Sequence, residues 1–255
     1  MNAKTISDAV KPIRFITGYV GSKKQWIPRV AHLLEGQSIV EPFCGSAVLS
    51  STFASSAVLN DLDPFIYKIL SRFDEQIVPE VFTLEDYYRV RSQDDWWRYS
   101  FCLQRMSFSG VFRYSKNGYN VPAKKDYVHE VRLQSEYAEA LRRWTDLAPV
   151  VLSGDYADVP IEADSVIVAD PPYESTQAAY NKNTFDYDRY WSWIGDLTQA
   201  GNTVLVFDTL GNLERQGLEI FGTRKMRVNG ARDGSVEAMA LLNYSAAEVG
   251  LLALA

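Results

Sequence analysis

The residues of this 255-residue chain best suited to chemistry are Asp170-Pro171-Pro172-Tyr173. They place a carboxylate, a proline carbonyl and an aromatic ring in four consecutive positions. Each proline fixes φ at about −65° and lacks an amide donor. Each also pushes the residue before it towards extended backbone, so the chain cannot turn straight into a helix here. Asp170 can accept a hydrogen bond from an exocyclic amine, the Pro171 carbonyl can accept a second, and the Tyr173 ring can stack on a flat heterocycle. Taken alone, four such residues are more often a strand followed by a proline-rich turn. Their meaning depends on what positions them.

The apolar, β-branched run 163–169 before Asp170 predicts a buried strand ending in this loop. Open α/β sheets bind ligands at the carboxyl ends of their strands. Other segments follow the same rhythm. Ile39-Val40 predicts a short strand ending at Glu41, then the small-residue loop Pro42-Phe43-Cys44-Gly45-Ser46 and a helix from about Ala47 to Phe53. The first strand-to-helix turn of such a sheet is the usual cofactor site, although no GxGxxG fingerprint is present. Ala57-Val58-Leu59 predicts the next strand. Asp61 at its end can accept both hydroxyls of a ribose, with helix N-capping as the plainer alternative. Upstream, Thr17-Gly18-Tyr19-Val20-Gly21-Ser22-Lys23 precedes a helical pattern over Gln25–Leu34. A small-residue loop before a helix can receive an anion, and Lys23 adds a cation. It is not a P-loop.

From Phe73 to about Leu147 the strand–helix rhythm stops. Asp86–Phe108 and Asp126–Trp144 each predict a helix, and Lys116-Asn117-Gly118 predicts a tight turn between them. Residues 98–143 carry nine basic side chains against four acidic ones, in a chain whose net charge is −6. Arg105, Arg113, Tyr114, Lys116, Tyr119, Asn120 and Lys124 interleave basic, polar and aromatic groups, as phosphate contact, base readout and wedging between bases require. The domain expectation is therefore a catalytic domain over 13–73 plus 149–255, with an inserted, mostly helical lobe over 74–148. Beyond the lobe, strands are predicted at 149–152, 203–207 ending at Asp208, 224–228 and 238–244. A helix is predicted over Asp188–Ala200, with a segment at Tyr180-Asn181-Lys182 and a turn over 229–235.

Composition narrows the class. At 47% hydrophobic and 23% charged, the chain reads as an ordinary soluble globular protein. No apolar run reaches the roughly 18 residues of a membrane span, and Met1–Val10 lacks the pattern of a secretion signal. Two cysteines, Cys44 and Cys102, point to a reducing compartment rather than a disulfide framework. Two histidines leave little scope for a metal site, and none is expected.

The ordered set of Thr17-Gly18-Tyr19-Val20-Gly21-Ser22-Lys23, Val40-Glu41-Pro42-Phe43-Cys44-Gly45-Ser46, Asn60-Asp61-Leu62-Asp63-Pro64, the 108–122 stretch, Gly154-Asp155-Tyr156, Asp170-Pro171-Pro172-Tyr173 and Leu242-Asn243-Tyr244 resembles the Dam-type (D12 class) DNA adenine N6-methyltransferases. The resemblance implies a Rossmann-like α/β methyltransferase fold, with a mainly parallel seven-stranded sheet whose last hairpin adds an antiparallel strand. It implies S-adenosyl-L-methionine as cofactor. Tyr19, Gly21 and Lys23 would hold its methionine end, Glu41, Phe43 and Gly45 would line the pocket, Asp61 would take the ribose, and Asp155 and Tyr156 would flank the adenine. Asp170, Pro171, Pro172 and Tyr173 would hold a target base flipped out of double-stranded DNA, with Asp170 also bordering the cofactor. Arg113 and Tyr114 fall where the family reads and wedges bases. The implied setting is the cytoplasm of a bacterial or phage-infected cell, as a monomer or weak dimer. N4-cytosine methylation and a non-catalytic DNA-binding protein are the alternatives. The target sequence, and whether a partner nuclease makes this a restriction-modification enzyme, cannot be read from the residues.

Overall fold

The computed structural model describes residues 11–123, 129–162, 164–173, 185–225 and 236–244. Seven strands form the central sheet: β1 (Ser38–Glu41), β2 (Ser56–Asn60), β3 (Val150–Leu152), β4 (Val166–Ala169), β5 (Thr203–Thr209), β6 (Ile220–Lys225) and β7 (Val236–Leu242), in the spatial order β6-β7-β5-β4-β1-β2-β3. The pairs β3–β2, β2–β1, β1–β4 and β4–β5 are parallel, and β7 runs antiparallel between β5 and β6. This is the mainly parallel, Rossmann-like methyltransferase sheet with an antiparallel last hairpin that the resemblance implies.

Alternation along the strands builds the two faces. Ile39, Leu59, Val168, Leu205, Phe207 and Met239 enter one core, with Trp26, Val48, Leu49, Ile66 and Leu70 from helices packed on that side. Their neighbours Val40, Ile167, Ala169, Val204, Val206, Ala238 and Ala240 enter the other, against Tyr190, Ile194, Leu197 and Leu213. Successive side chains of a strand point to opposite faces, so a sheet covered on both sides needs near-continuous apolar strands. β4, buried at all four positions, is the clearest case.

Helices α1 (Ile27–Leu34), α2 (Val48–Phe53) and α3 (Pro64–Ser71) follow the loop containing Lys23 and the first two strands. α3 starts where Asp63 accepts hydrogen bonds from the Phe65 and Ile66 amides, with Pro64 in its first turn. The capping acid is thus Asp63, and Asp61 is left for other work. Between β2 and β3 the described chain adds no strand to the main sheet. The helix expected over Asp86–Phe108 is instead broken into α4 (Leu84–Val90), a 3₁₀ turn (Trp96–Tyr99) and α5 (Ser100–Met106). The polar run Ser92-Gln93-Asp94-Asp95 interrupts it, and Thr83 with Asp86 forms a capping box at the start of α4. The helix expected over Asp126–Trp144 is α6 (Gln134–Leu147). It is preceded by a two-residue strand, Glu130–Val131, paired with Phe82–Thr83. The tight turn appears as a hairpin pairing Tyr114–Ser115 with Gly118–Tyr119. Gly118, at φ +94°, lies so close to Arg91 that an added Cβ would sit 2.0 Å from its carbonyl oxygen.

After β4, α7 (Tyr187–Gln199) and α8 (Leu210–Arg215) complete the elements. The strand expected over 224–228 is β6, from Ile220 to Lys225. The expected segment Tyr180-Asn181-Lys182 and the 229–235 turn lie outside the described residues.

The lobe is not a detached body. Phe73 stacks near Phe15, Phe101 and Tyr137, and one apolar core runs from the sheet through α5. The seam closes at the loop before α1, where Phe112 N donates to Gly18 O at 2.9 Å, and both N and Oγ1 of Thr17 donate to Gln104 Oε1. Gly18 has φ +65°, and a Cβ there would lie 1.4 Å from Gly110 O. Gly18→Ala should therefore destabilise the protein by about 2 kcal/mol or more, read as a lower urea midpoint. A change within about 0.5 kcal/mol would show that the seam gives way without cost.

Candidate active site at the carboxyl edge of the sheet

The chain leaves β1 and β4 in opposite directions across the sheet, the kind of switch point at whose carboxyl edge open α/β sheets bind ligands. Glu41 ends β1 and Asp170 directly follows β4. Lys23 enters from the loop before α1. Its ammonium lies 2.5 Å from Asp170 Oδ2, 3.2 Å from Glu237 Oε1 and 2.7 Å from Gly21 O. Three N–H donors thus meet three acceptors, as a nearly buried ammonium requires. The Tyr173 hydroxyl lies 2.8 Å from Glu237 Oε1 and 3.1 Å from Asp170 Oδ1. Glu237 Oε2 accepts from Trp26 Nε1 at 2.6 Å and from Arg224 at 2.8 and 3.0 Å. Burial opposes ionisation of Glu237, but Lys23, Trp26, Tyr173 and Arg224 outweigh it and hold its pKa at about 2. Asp170 goes the other way. Desolvation raises its pKa more than Lys23 lowers it, and the Glu237 charge adds to the rise. Its side chain is still 22% exposed.

The neighbouring loops are held by backbone contacts. Asn60, buried at the end of β2, donates to Pro42 O and Gly154 O and so fastens the loops after β1 and β3. Asp61 accepts from Gly45 N at 2.8 Å and Asp63 N at 2.9 Å. Gly45 has φ +46°, and a Cβ there would meet the Tyr19 ring at 2.5 Å, whereas Gly21 faces open space. Ser22 and Ser46 hydroxyls touch at 3.0 Å, joining the two small-residue loops. Glu41 turns inward to accept from Ser50 N, and desolvation lifts its pKa to about 7. Desolvation likewise lifts Asp61 to about 6. Past β3, Asp155 forms a two-pronged ion pair with Arg189 at 2.7 and 3.0 Å. The Arg189 guanidinium lies over the Tyr156 ring, which packs 5.1 Å from Phe43. Cys44 and Cys102 are buried free thiols whose pKa values burial pushes up.

The structure therefore brings Tyr19, Gly21, Lys23, Glu41, Phe43, Gly45, Asp61 and Asp170 to one edge of the sheet. Several of the expected DNA contacts stand differently. Arg113 and Lys116 are exposed. Tyr114 is half-buried, packed 4.6 Å from Phe65, and donates its hydroxyl to Asp63 at 2.7 Å. Tyr119 is 0% exposed and packs on Trp96. Asn120 is buried and holds the loop by donating to Phe108 O and Val111 O. Arg105 is largely buried, bonded to Glu136 and stacked over Phe101. These last three hold the lobe together instead of offering a face to DNA. Lys124 lies outside the described residues. Tyr173 is also buried, and its phenol serves the carboxylate network more than it offers an open stacking face. Sequence reasoning missed Trp26, Arg189, Arg224 and Glu237. The only signal for Glu237 was an acidic residue inside the apolar run of β7.

The chain matches the family model described as D12 class N6 adenine-specific DNA methyltransferase over residues 19–192. It is similar to the Retron Ec67 DNA adenine methylase of Escherichia coli, at 28% identity over 211 residues, covering 72% of this chain and 73% of that protein. It is 32% identical over 188 residues to the DNA adenine methylase of Escherichia coli K12, covering 62% and 66%. It is 29% identical over 202 residues to that of Vibrio cholerae, covering 69% and 71%. A solved Escherichia coli chain, a putative methyltransferase yhhF, superposes with a TM-score of 0.41 at 8% identity, covering 88% and 85%, a likeness too loose to add to the topology above.

The raised pKa of Glu41 has a measurable consequence. Its carboxyl ionises near 4.5 in an unfolded chain and near about 7 when folded. The folded state then binds the proton more tightly, so this group's contribution to stability falls as pH rises through that window. Glu41→Gln keeps an acceptor for Ser50 N and removes the buried charge. The ligand-free variant should be more stable than the parent by about 1–3 kcal/mol at pH 8, with the gap closing towards pH 4.5. Urea titrations at both pH values check this, and a gap independent of pH would show that Glu41 is not buried in ionisable form.

Proposed function

Because the chain belongs to the D12 class of N6 adenine-specific DNA methyltransferases, we propose that it methylates N6 of adenine in double-stranded DNA, with S-adenosylmethionine as donor and Asp170 as the acceptor for the target amine. The single observation that carries the role of Asp170 is its position. It is a carboxylate fixed by two prolines at the switch point between β1 and β4, with a cation and a phenol already on its oxygens.

Adenine N6 is a poor nucleophile because its lone pair is delocalised into the ring. Hydrogen bonds from N6–H to Asp170 and to the Pro171 carbonyl favour a more tetrahedral nitrogen and aim the lone pair. S-adenosylmethionine, when bound, supplies an electrophilic methyl group. The residues present fit such a donor. Gly21 faces open space, Asp61 offers acceptor lone pairs at the end of β2, and Phe43 and Tyr156 provide flat apolar surface. Alignment in a dry crevice then contributes most of the acceleration. No covalent step on the protein is needed, which agrees with two buried thiols whose pKa values are raised.

The lobe over 74–148 is proposed as the DNA reader. Exposed Arg113 and Lys116 project from its hairpin region, and the target base must leave the duplex to reach Asp170. Among the described residues no helix is long and apolar enough to cross a membrane, and a DNA substrate implies action in the cytoplasm. N4-cytosine methylation would use the same amine chemistry, but family membership speaks for adenine. A purely DNA-binding role is disfavoured by the intact set Asp61, Asp155 and Asp170.

Asp170→Ala should abolish methyl transfer from labelled cofactor to DNA while weakening cofactor affinity only modestly, measured by thermal shift. Retained activity would remove Asp170 from the mechanism. Arg113→Ala should cost about 1–3 kcal/mol of discrimination at one base pair. An equal loss on all sequences would make Arg113 a phosphate contact.

A further inference from the structure

The catalytic carboxylate has an unexpected neighbour. Glu237 comes from β7, at the far end of the chain, and its side chain is only 2% exposed. Along its own strand it sits among apolar residues, Val236, Ala238, Met239 and Ala240. A carboxylate so deeply buried is costly unless fully paired. Glu237 is fully paired, and two of its partners, Lys23 and Tyr173, also touch Asp170.

Asp170 must present a lone pair to an incoming N–H. Without a second carboxylate, the buried Lys23 ammonium and the Tyr173 hydroxyl would both fall to Asp170. Lys23 now lies at 2.5 Å from Asp170 and 3.2 Å from Glu237. It can shift towards Glu237 and Gly21 O when the amine arrives without leaving its charge unpaired. The Tyr173 hydroxyl has one hydrogen, and its shorter contact is to Glu237, at 2.8 Å against 3.1 Å. Donated there, it leaves Asp170 Oδ1 as an acceptor. Trp26 and Arg224 fix the opposite oxygen of Glu237, so its Oε1 stays aimed at the pair.

We propose that Glu237 is a positioning residue for methyl transfer: it holds Lys23 and Tyr173 so that Asp170 remains open to the target amine. This rests on the methyl-transfer reading above. Glu237 does not touch substrate and acts only through the two residues it binds. Its demand is for a negative charge at that place, not merely for a filled volume.

The test is single-turnover methyl transfer to DNA alongside S-adenosylmethionine affinity. The parent protein is measured first, since failure of the parent to methylate would dispose of the functional reading and not of Glu237. Glu237→Gln should slow the transfer step by about tenfold or more, as the loss of one charge-assisted hydrogen bond implies. Cofactor Kd should stay within about twofold. Glu237→Asp keeps the charge and should recover part of the rate. An unchanged transfer rate in Glu237→Gln, a rate loss matched by an equal loss of cofactor affinity, or a Glu237→Asp variant as slow as Glu237→Gln would overturn the proposal. If Glu237→Gln does not fold, Glu237→Asp alone decides. A slowed transfer step with cofactor Kd retained supports positioning, and parallel losses or no change reject it.

Discussion

A single buried ammonium holds the site together. Lys23 lies between Asp170 and Glu237 and also bonds Gly21 O. An unpaired charge in that position would cost several kcal/mol, so its three acceptors must stay in place. They come from the loop before α1, from the end of β4 and from the start of β7. The ammonium, with Tyr173 on Glu237 and Tyr187 on the Pro172 carbonyl, ties the proline-stiffened loop after β4 to its surroundings and fixes the Asp170 carboxylate in place.

The same loop before α1 joins the lobe to the site. Thr17 and Gly18 bond Gln104 and Phe112, while Tyr114 reaches across to Asp63, two residues past Asp61. The hairpin region therefore contacts residues adjoining both the Lys23 loop and the acid at the end of β2. One continuous core through Phe73 and Phe101 packs residues 74–148 against the sheet.

Much of the sheet was legible because both its faces are buried. β4 and β5 read as unbroken apolar runs, and a loop of small residues or prolines marked the carboxyl ends of β1 and β4. Asp170, Lys23 and Asp61 were recognisable from residue type plus position after a strand or before a helix. Two kinds of feature were hidden. Helix breaks within 86–108 follow tertiary burial of Trp96 and Trp97, which no local spacing signals. Glu237 and Arg189 were hidden because their partners lie 214 and 34 residues away. A charged residue in a strand reads as solvent-facing until its partner is known. In the lobe, residue type misled. Tyr119, Asn120 and Arg105 suit nucleic acid chemically, but their hydrogen bonds and packing are spent within residues 74–148.

The most direct measurement is nucleoside mass spectrometry of DNA incubated with the protein and S-adenosylmethionine carrying an isotopically labelled methyl group. The account predicts label in N6-methyladenine, present with the parent and absent with Asp170→Ala. Label in N4-methylcytosine, or equal N6-methyladenine with and without Asp170, would contradict it.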